Sequence, residues 1–554
     1  MSTYFDDASL VMIPSGYKDD KLYSIKPTSG DGDFTFSRDG SGASPATRVN
    51  SAGLIEKGRT NLLLQSNSFD TTWGNSNTTE TSGQSGYDGT NDAWLLTKSA
   101  ASGYLIQSIS STGVQTFSVY AKAGTLNWIR LNVNFTSGTD PIVYFDLANG
   151  VVGTATGEID TNITSVGNGW YRCSVTANGT ISDVRFFPAD GDNDVSGTSG
   201  NIYIQDAQLE KGLVSTSVIE TTTAAASAGI LGDMPRLDYS GGASCPSLLL
   251  EPARTNLFTH SEYLDGFTTA GSPAPTLTAN YAESPEGVNN AYRVEIPSVS
   301  GLSLMAQLVS HTSGTDMTIS AYVKSNVASD QSFKLFGDYA TGAGTSGTLT
   351  ATSEWQRFTF TFTPTATGNR NAGILNLANT AADLLVYGMQ IETASYPTSY
   401  VPTYGSATAR AKDFFVMNLI TNGITTASQT EATLFIEFEK PNTGENVDLM
   451  RFRGTGTLGR GYIYNTGVGF ASDWGQSLNF TIGENTKAVW RVNSLTDGEV
   501  FLNGTKSSNA SGTAWSDIRE LRFNAEGVGG VLKIKEIGLF PTPLTDAECI
   551  SLTT

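Results

Sequence analysis

The sequence is poor in cysteine, in histidine and in charge. Its 554 residues include only 3 Cys and 2 His, and charged residues make up 16% of the chain. The cysteines (Cys173, Cys245 and Cys549) are too widely spaced for a disulfide framework or a CxxC metal motif. The histidines, His260 and His311, leave little scope for histidine-based catalysis.

Two longer features are also missing. There is no run of about 18 apolar residues, so the sequence predicts no membrane span. Residues 1–20 have neither the basic start nor the apolar core of a signal peptide, and we therefore expect synthesis in a cytoplasm and release by lysis. With 53 acidic against 33 basic residues and a net charge of −20, the chain is expected to repel nucleic acid.

Glycine, serine and threonine are abundant instead. The chain has 59 Gly and is 39% hydrophobic, which is the composition of an all-β protein with many turns. At roughly 150 residues per domain, the length predicts three or four domains.

An internal repeat is the strongest pattern in the sequence. Residues 56–62 (EKGRTNL) recur as residues 251–257 (EPARTNL). Three further matches follow in the same order: 117–122 with 319–324, 170–172 with 355–357, and 203–210 with 386–392. Such an ordered series indicates a duplicated unit.

Apolar and polar residues alternate within both copies, for example at 116–122 and 317–324. This period predicts strands with one buried face, separated by turn-rich stretches. The fold class is therefore predicted to be all-β, with tandem antiparallel β-sandwiches of jelly-roll type. A third alternating unit follows, and it ends in a short helix with Thr545 as its N-cap and Glu548 three residues on.

We predict four segments. They are a leader at residues 1–30, connector hairpins with a first jelly roll at 31–225, connector hairpins with a second jelly roll at 226–412, and a third sandwich at 413–554. Each set of connector hairpins is expected to pack on the sandwich that follows it.

The third unit resembles the concanavalin A-like or laminin G-like fold. The residues that carry this resemblance are WRV at 490–492, FLNG at 501–504, and the strand 534–540 followed by LTDAE. The resemblance implies a lectin-like, two-sheet jelly roll of a kind that binds glycans or proteins.

Residues 30–410 are similar to tail- and fibre-associated proteins of bacteriophage virions, and the repeated units look like carbohydrate-binding modules. The similarity rests on DFTFSR at 33–38, RTNLL at 59–63, RLDY at 236–239 and LEPARTNL at 250–257. It implies a structural virion protein, a tail fibre or appendage that contacts a host-surface polysaccharide or protein. The alternatives are a capsid-decorating or head-fibre protein and a secreted bacterial adhesin that binds polysaccharide.

The leader would attach the protein to other virion proteins. It belongs to no repeat and carries an apolar patch of Leu10, Val11, Met12 and Ile13. Because phage appendages are commonly trimers, the resemblance also implies a homotrimer.

Glycan binding would need flat apolar surfaces with polar groups beside them. Five tryptophans in or near loop-like sequence are candidates: Trp73, Trp94, Trp128, Trp474 and Trp515. The alternative for each is packing in the core or at a sheet edge, which is the commoner fate of tryptophan.

No cofactor is required, but calcium is a candidate ligand. Asp190, Asp192 and Asp194 alternate as at the start of a calcium loop, although the rest of that motif is missing. A solvated acidic turn is the alternative. Resemblance to carbohydrate-binding modules implies a further calcium ligand at Asp206, where the second copy has Gly388.

The sequence predicts no enzymatic activity. It contains no GxSxG, P-loop or HExxH motif. Glu437 and Glu439 share one strand face, but the aspartate that glycosidases of the lectin-like fold carry between them is missing.

Overall fold

The computed structural model describes residues 6–18, 20–38, 46–338, 344–377, 379–441, 450–453, 460–464, 466–470, 477–494, 496–508, 510–511, 517–523 and 530–554. Strands make up almost all the regular structure of these residues, and every ladder is antiparallel. The predicted fold class, tandem antiparallel β-sandwiches, is confirmed. No helix in the described part of the chain is long and apolar enough to cross a bilayer.

Seven short strands precede the first sandwich. They are β1 (Leu10–Met12), β2 (Tyr17–Lys18), β3 (Lys21–Leu22), β4 (Phe34–Ser37), β5 (Thr47–Val49), β6 (Ile55–Lys57) and β7 (Arg59–Asn61). Strands β5 and β6 form an isolated hairpin. Strands β2, β3 and β4 pair in succession, and β1 and β4 pair with strands from the far end of the chain, β44 and β33.

The first sandwich contains ten strands. They are β8 (Gly74–Ser76), β9 (Thr78–Gln84), β10 (Ala93–Lys98), β11 (Tyr104–Ala123), β12 (Trp128–Phe135), β13 (Ile142–Asp146), β14 (Val151–Thr156), β15 (Asp160–Gly167), β16 (Trp170–Ala189) and β17 (Gly200–Lys211). The 20-residue strands β11 and β16 run through both faces of the sandwich, and their ladder shifts register between Ser108 and Ser111. Such a bulge lets one long strand bend from one sheet into the other.

The second connector and the second sandwich follow. The connector strands are β18 (Ala226–Ala228), β19 (Leu237–Asp238), β20 (Ser247–Leu250) and β21 (Arg254–Asn256). The sandwich strands are β22 (Thr268–Ala270), β23 (Thr276–Ala282), β24 (Ala291–Ile296), β25 (Leu302–His311), β26 (Met317–Ser325), β27 (Gln331–Gly337), β28 (Leu349–Ala351), β29 (Gln356–Phe362), β30 (Gly368–Leu377) and β31 (Ala382–Glu392). They form two five-stranded sheets.

The strand pairings of the two sandwiches show the duplication directly. In the first, β11 pairs with β17 and the ladder shifts register between Ser118 and Tyr120. In the second, β26 pairs with β31 and shifts between Ser320 and Tyr322, the matching residues. The long strands of the first copy correspond to β25 with β26 and to β29 with β30 in the second.

The asparagine of each RTN motif explains why this motif is repeated. Asn61 and Asn256 are fully buried, and each amide group makes four hydrogen bonds to backbone. Its NH2 donates to two carbonyls and its oxygen accepts from two N–H groups. The partners are Ala207, Ile219, Leu63 and Leu209 in the first copy and Met389, Val401, Phe258 and Ile391 in the second. A buried amide satisfied in this way joins the first strand to the last.

The other repeated polar residues hold the loop that follows the last strand. Gln208 donates to Glu210 at 2.6 Å, and Glu210 accepts from the N–H of Thr216 at 2.7 Å. Arg172 donates to the carbonyl of Thr216 and stacks on Tyr120. The second copy repeats these contacts with Gln390, Glu392, Thr398, Arg357 and Tyr322. The residues that reveal the repeat are therefore structural.

The third sandwich completes the chain. Its own strands are β33 (Phe414–Asn418), β34 (Ala432–Glu439), β35 (Met450–Arg453), β36 (Arg460–Tyr464), β37 (Gly467–Phe470), β38 (Ser477–Asn479), β39 (Asn485–Ser494), β40 (Asp497–Leu502), β41 (Thr505–Lys506), β42 (Ala510–Ser511), β43 (Glu520–Phe523) and β44 (Leu532–Phe540), after the linking strand β32 (Thr408–Arg410). Helix α1 (Asp546–Thr553) begins with the predicted capping box of Thr545 and Glu548. Each of its two sheets has nine strands among the described residues, because strands from the leader and from both connectors join them.

The predicted separate leader is wrong, and so is its apolar attachment patch. Strand β1 pairs with β44, and Leu10, Val11 and Met12 are almost fully buried in the third sandwich. Ile13 packs on the neighbouring cluster. Local hydrophobicity marks these side chains as needing burial, but it does not say whether a partner or a distant part of the same chain provides it.

The connectors also pack differently from the prediction. The β5–β6 hairpin lies on the second sandwich, where the N–H of Ile55 donates to the carbonyl of Pro285 at 2.8 Å. Lys57 pairs with Glu262 at 2.5 Å and Glu286 at 3.0 Å. The second connector joins the third sandwich, since β20 pairs with β44. Strand β4 of the first connector also pairs with β33 of the third sandwich. The connectors thus pack on sandwiches further along the chain, and the predicted boundaries near 30, 225 and 412 do not coincide with the packing units.

A buried ion cluster lies where these connectors meet. It consists of Arg38, Arg236, Arg410, Glu251 and Asp413, all at most 2% exposed. Asp413 accepts from Arg38 at 2.8 Å and from Arg236, and Glu251 pairs with Arg236 and Arg410, both at 2.7 Å. The cluster therefore links the two connectors to the strand that enters the third sandwich.

We expect Asp413→Asn to destabilise the protein strongly. The substitution leaves two buried guanidinium groups short of a counter-charge, and losing one partner of a buried ion pair costs about 3–5 kcal/mol. Urea denaturation of the full chain measures the loss. The same change at exposed Asp330 is the control and should have little effect. A loss below about 1 kcal/mol for Asp413→Asn would contradict the role given to the cluster.

Candidate functional site

The five candidate tryptophans differ in where they lie in the structure. Trp73 and Trp94 are each 7% exposed and pack around Phe69 in the first core. Their indole N–H groups donate to backbone carbonyls at 3.0 Å. The prediction that these two bind glycan is wrong, because no ring face is open. Trp474 and Trp515 lie outside the described residues. Trp128 is half-buried and belongs to β12.

Strand β12 turns Trp128 away from the core. Ile129, Leu131 and Val133 are buried inside the sandwich. Successive side chains of a strand point to opposite faces, so Trp128 and Arg130 lie on the outer face of the sheet. They are followed there by Asn132 and Asn134.

Aromatic side chains from neighbouring strands surround Arg130. Its partners in the ladder are Tyr144 on β13 and Phe187 on β16. The guanidinium carbon lies 4.4 Å from the ring centre of Phe187 and 5.8 Å from that of Tyr144. Tyr104 of β11 packs against Phe187, with ring centres 5.1 Å apart. The guanidinium carbon of Arg185 lies 5.1 Å from the ring centre of Tyr104. The row therefore alternates cations and rings.

A polar row lies beside the aromatic row. Arg130 Nε donates to Asn132 Oδ1 at 2.6 Å. Asn134 and Arg185 both donate to Asp183, at 2.8 and 2.6 Å. Amide, carboxylate and guanidinium groups thus lie beside the flat rings. We call these two rows together with Trp128 the aromatic face: Tyr104, Trp128, Arg130, Asn132, Asn134, Tyr144, Asp183, Arg185 and Phe187.

The second copy does not have this face. Its strand pairing places Lys334 opposite Leu375, which lies in turn opposite Leu304. Leu304 and Leu375 are buried in a cluster with Ala306 and Phe336, and Lys334 donates to the carbonyl of Ser346 at 3.1 Å. The two copies therefore share their structural residues but differ at the outer face, where the first copy has Tyr104 and Arg130 and the second has Leu304 and Lys334.

The predicted calcium loop borders the aromatic face but does not gather its carboxylates. Asp192 accepts from the N–H and the hydroxyl of Thr154, at 2.6 and 3.0 Å. Asp190 pairs with Lys98 and accepts from the N–H of Gly197, while Asp194 accepts from that of Ser196. Within the described ranges, no group of three or more His, Cys, Asp or Glu side chains is placed to hold a metal ion. These aspartates instead accept hydrogen bonds that fix the loop.

Asp206 is a buried carboxyl at a bulge. Its φ is 51°, and the glycine at the matching position of the second copy, Gly388, has φ 62°. Tyr87 donates its hydroxyl to Asp206 at 2.9 Å. Burial, together with the nearby charges of Asp92 and Glu220, raises the pKa of Asp206 to about 6. The nearest partner of this carboxyl is therefore a tyrosine hydroxyl, and its neighbouring charges are negative.

A cleft of about 400 Å3 lies where the β5–β6 hairpin meets the second and third sandwiches. Its walls include Tyr322, Tyr396 and Tyr400. The charged groups at its rim are paired within the chain: Arg48 with Glu56 at 2.8 Å and Lys533 with Asp238 at 3.2 Å. The cleft is thus apolar with internally satisfied charges. The aromatic face instead combines rings with Arg130, which forms no ion pair with any residue that the structure describes.

The carboxylates considered for hydrolysis lie on β34. Glu437 stands opposite Glu536 of β44 and accepts from Asn485 at 2.7 Å. Burial, and then the charge of Glu437, raises the pKa of Glu536 to about 7. Like charges opposed in a ladder produce this shift without any catalytic arrangement.

Comparison with known proteins gives no assignment. No protein-family model matches the chain, and no curated protein matches it. The tandem CBM22 domains of Paenibacillus barcinonensis Xyn10C align over 60% of this chain and 97% of their own, with 10% identity and a TM-score of 0.19. The Ruminococcus gnavus sialidase module CBM40, bound to α2,3-sialyllactose, aligns over 23% of this chain and 84% of its own, with 15% identity and a TM-score of 0.19. Trypanosoma rangeli sialidase aligns over 93% of this chain and 97% of its own, with 11% identity and a TM-score of 0.22. Similarities this low carry no argument here.

We expect Asp206→Asn to stabilise the protein at pH 7. A carboxyl whose pKa rises from 3.8 to about 6 on folding lowers the free energy of unfolding as the pH rises through that window. The amide removes this cost, about 1–3 kcal/mol at pH 7. Denaturation at pH 4 and pH 7 measures it, and the gain should shrink towards pH 4. Exposed Asp70→Asn is the control. A variant less stable than the natural protein at pH 7 would contradict the expectation.

Proposed function

We propose that this protein is a structural, non-enzymatic component of a bacteriophage particle, an appendage that holds host-surface glycans on the aromatic face of its first sandwich. The observation that carries this proposal is that Trp128, Tyr104 and Arg130 are half-buried on the outside of one sheet. Tyr144 and Phe187, which are 3% and 4% exposed, lie under Arg130 and support it.

The chemistry of the face suits a sugar. The CH face of a pyranose ring packs on an aromatic ring, and its hydroxyls need donors and acceptors. Trp128 and Tyr104 are half-buried and lie towards opposite ends of the face. Asn132, Asn134 and Asp183 offer amide and carboxylate groups beside the rings. The second copy has Leu304 and Lys334 where the first has Tyr104 and Arg130, and this difference supports a function specific to the first.

Two features support a place in a phage particle: the resemblance of the sequence and the buried ion pairs at the connectors. The resemblance to tail- and fibre-associated proteins covers the residues that build both connectors. Those connectors cross between sandwiches and are fixed by buried ion pairs, as suits a stiff appendage. A net charge of −20 would keep such an extended surface soluble. The homotrimer implied by the resemblance would present three glycan sites and increase avidity.

We expect Trp128→Ala to weaken binding to host-cell glycans by about tenfold or more, because an aromatic anchor of the face is lost. Binding of fluorescent full-length protein to host cells and to a glycan array measures the effect. Tyr281→Ala removes an aromatic ring of the second sandwich that is 45% exposed, and it is the matched control. Unfolding midpoints of both variants report on stability. Unchanged binding by Trp128→Ala would rule out the aromatic face as the glycan site.

We also expect antibodies against the protein to label the tail appendages of purified particles in electron micrographs. A particle without the protein, made by deleting its gene, is the control and should lose both the label and the appendage. Label on the head shell would contradict the tail position and favour capsid decoration. Absence of the protein from purified particles would contradict a virion role.

A further inference from the structure

Arg130 differs from Arg185, the second arginine of the aromatic face, because no carboxylate among the described residues pairs with the guanidinium group of Arg130. Its Nε donates to the neutral Asn132, and its flat faces meet Phe187 and Tyr144. Arg185, in the next row, pairs with Asp183 at 2.6 Å. The unpaired cation is notable in a protein with 53 acidic residues.

The carboxylates near Arg130 are already engaged. Asp183 accepts from Arg185, Asn134 and Ser182. Asp146, at the Trp128 end of the face, accepts from the N–H of Ala148 and from the side chain of Asn149. These bonds hold the acidic groups in place, so the two terminal nitrogens of Arg130 are left for another acceptor.

The aromatic rings hold the guanidinium group in position. Stacking on Phe187 and the bond to Asn132 restrict the long side chain, which reduces the entropy lost when a ligand binds. Arginine stays charged at any ordinary pH, and its planar fork matches a carboxylate through two parallel hydrogen bonds. A neutral sugar would leave this charge uncompensated.

We infer that the aromatic face binds an acidic glycan, with the carboxylate of a sugar acid on Arg130 and a sugar ring against Trp128 or Tyr104. This inference rests on the proposed glycan binding and specifies its substrate class. The second sandwich has no such site, since the matching residue, Lys334, donates to a backbone carbonyl beside aliphatic side chains.

The test compares ligands on the unaltered protein first. An array carries oligosaccharides that contain uronic or sialic acids, the same oligosaccharides with each carboxyl reduced to an alcohol, neutral oligosaccharides, and sulfated ones. We expect binding to carboxylate-bearing glycans, weakened by about tenfold or more on reduction of the carboxyl. This comparison needs no variant and is independent of folding.

Variants then locate the site. Arg130→Gln should abolish the preference for the acid over its reduced form, and Arg130→Lys should retain only part of it, because an ammonium group cannot form the paired bonds. Lys334→Gln makes a matching change on the second sandwich and should leave the preference unchanged. Titration calorimetry measures each affinity, and thermal unfolding shows whether the variants fold.

Four outcomes would overturn the inference. Equal binding of acidic and reduced glycans would overturn it while leaving the proposed glycan binding in place. Binding of sulfated glycans alone would replace the carboxylate with a different anion. A preference for acid that survives in a folded Arg130→Gln protein would place the carboxylate elsewhere. Binding of no glycan at all would overturn the proposed function as well.

Discussion

Three arginines and two carboxylates, buried together between the connectors, determine how the sandwiches are joined. Charges removed from water are costly unless each is paired, so Arg38, Arg236 and Arg410 require Glu251 and Asp413 in one particular arrangement. Because these residues come from three separate parts of the chain, only one path of the connectors satisfies them all. A second set of buried charges, centred on Lys57 and Glu286, fixes the first hairpin on the second sandwich. Burial by itself would raise the pKa of Glu286. The positive charges of Lys57 and Arg59 outweigh this effect and lower the pKa to about 2.

The duplication separates structural residues from candidate functional ones. Both copies retain the buried asparagine, the glutamine–glutamate pair and the arginine that clamps the final loop, since each satisfies backbone groups that would otherwise be buried without partners. The copies diverge on one outer sheet face. There the first has tryptophan, tyrosine and arginine, and the second has leucine, alanine, phenylalanine and lysine. A surface free from the shared packing constraints is where a binding function can differ between copies.

Much of the fold could be predicted from local patterns, and much of the site could not. Alternation at 116–122 and 317–324 predicts strands correctly because half-burial imposes a period of two. The helix cap at Thr545 and Glu548 is equally local. Trp73 and Trp94 were assigned to a surface and lie in a core, since a loop-like sequence does not reveal which way a ring turns. Of the glycan candidates in the described residues, Trp128 alone faces outward. Arg130, Tyr144 and Phe187 were missed, although the alternation of β12 placed Arg130 on the same side as Trp128.

The sequence by itself determined the strand content, the repeat and the acidic exterior, because composition, periodicity and self-similarity are properties of the chain read in order. Only the tertiary structure decided which sandwich each connector joins, and that Leu10 to Met12 complete a sheet formed by the end of the chain. It also decided that aromatic residues of β13 and β16 stack on one arginine of β12. The physical reason is the same in each case. The chemistry of a hydrophobic or charged side chain determines which environment is favourable for it, but contacts between residues distant in sequence determine where in the fold that environment lies.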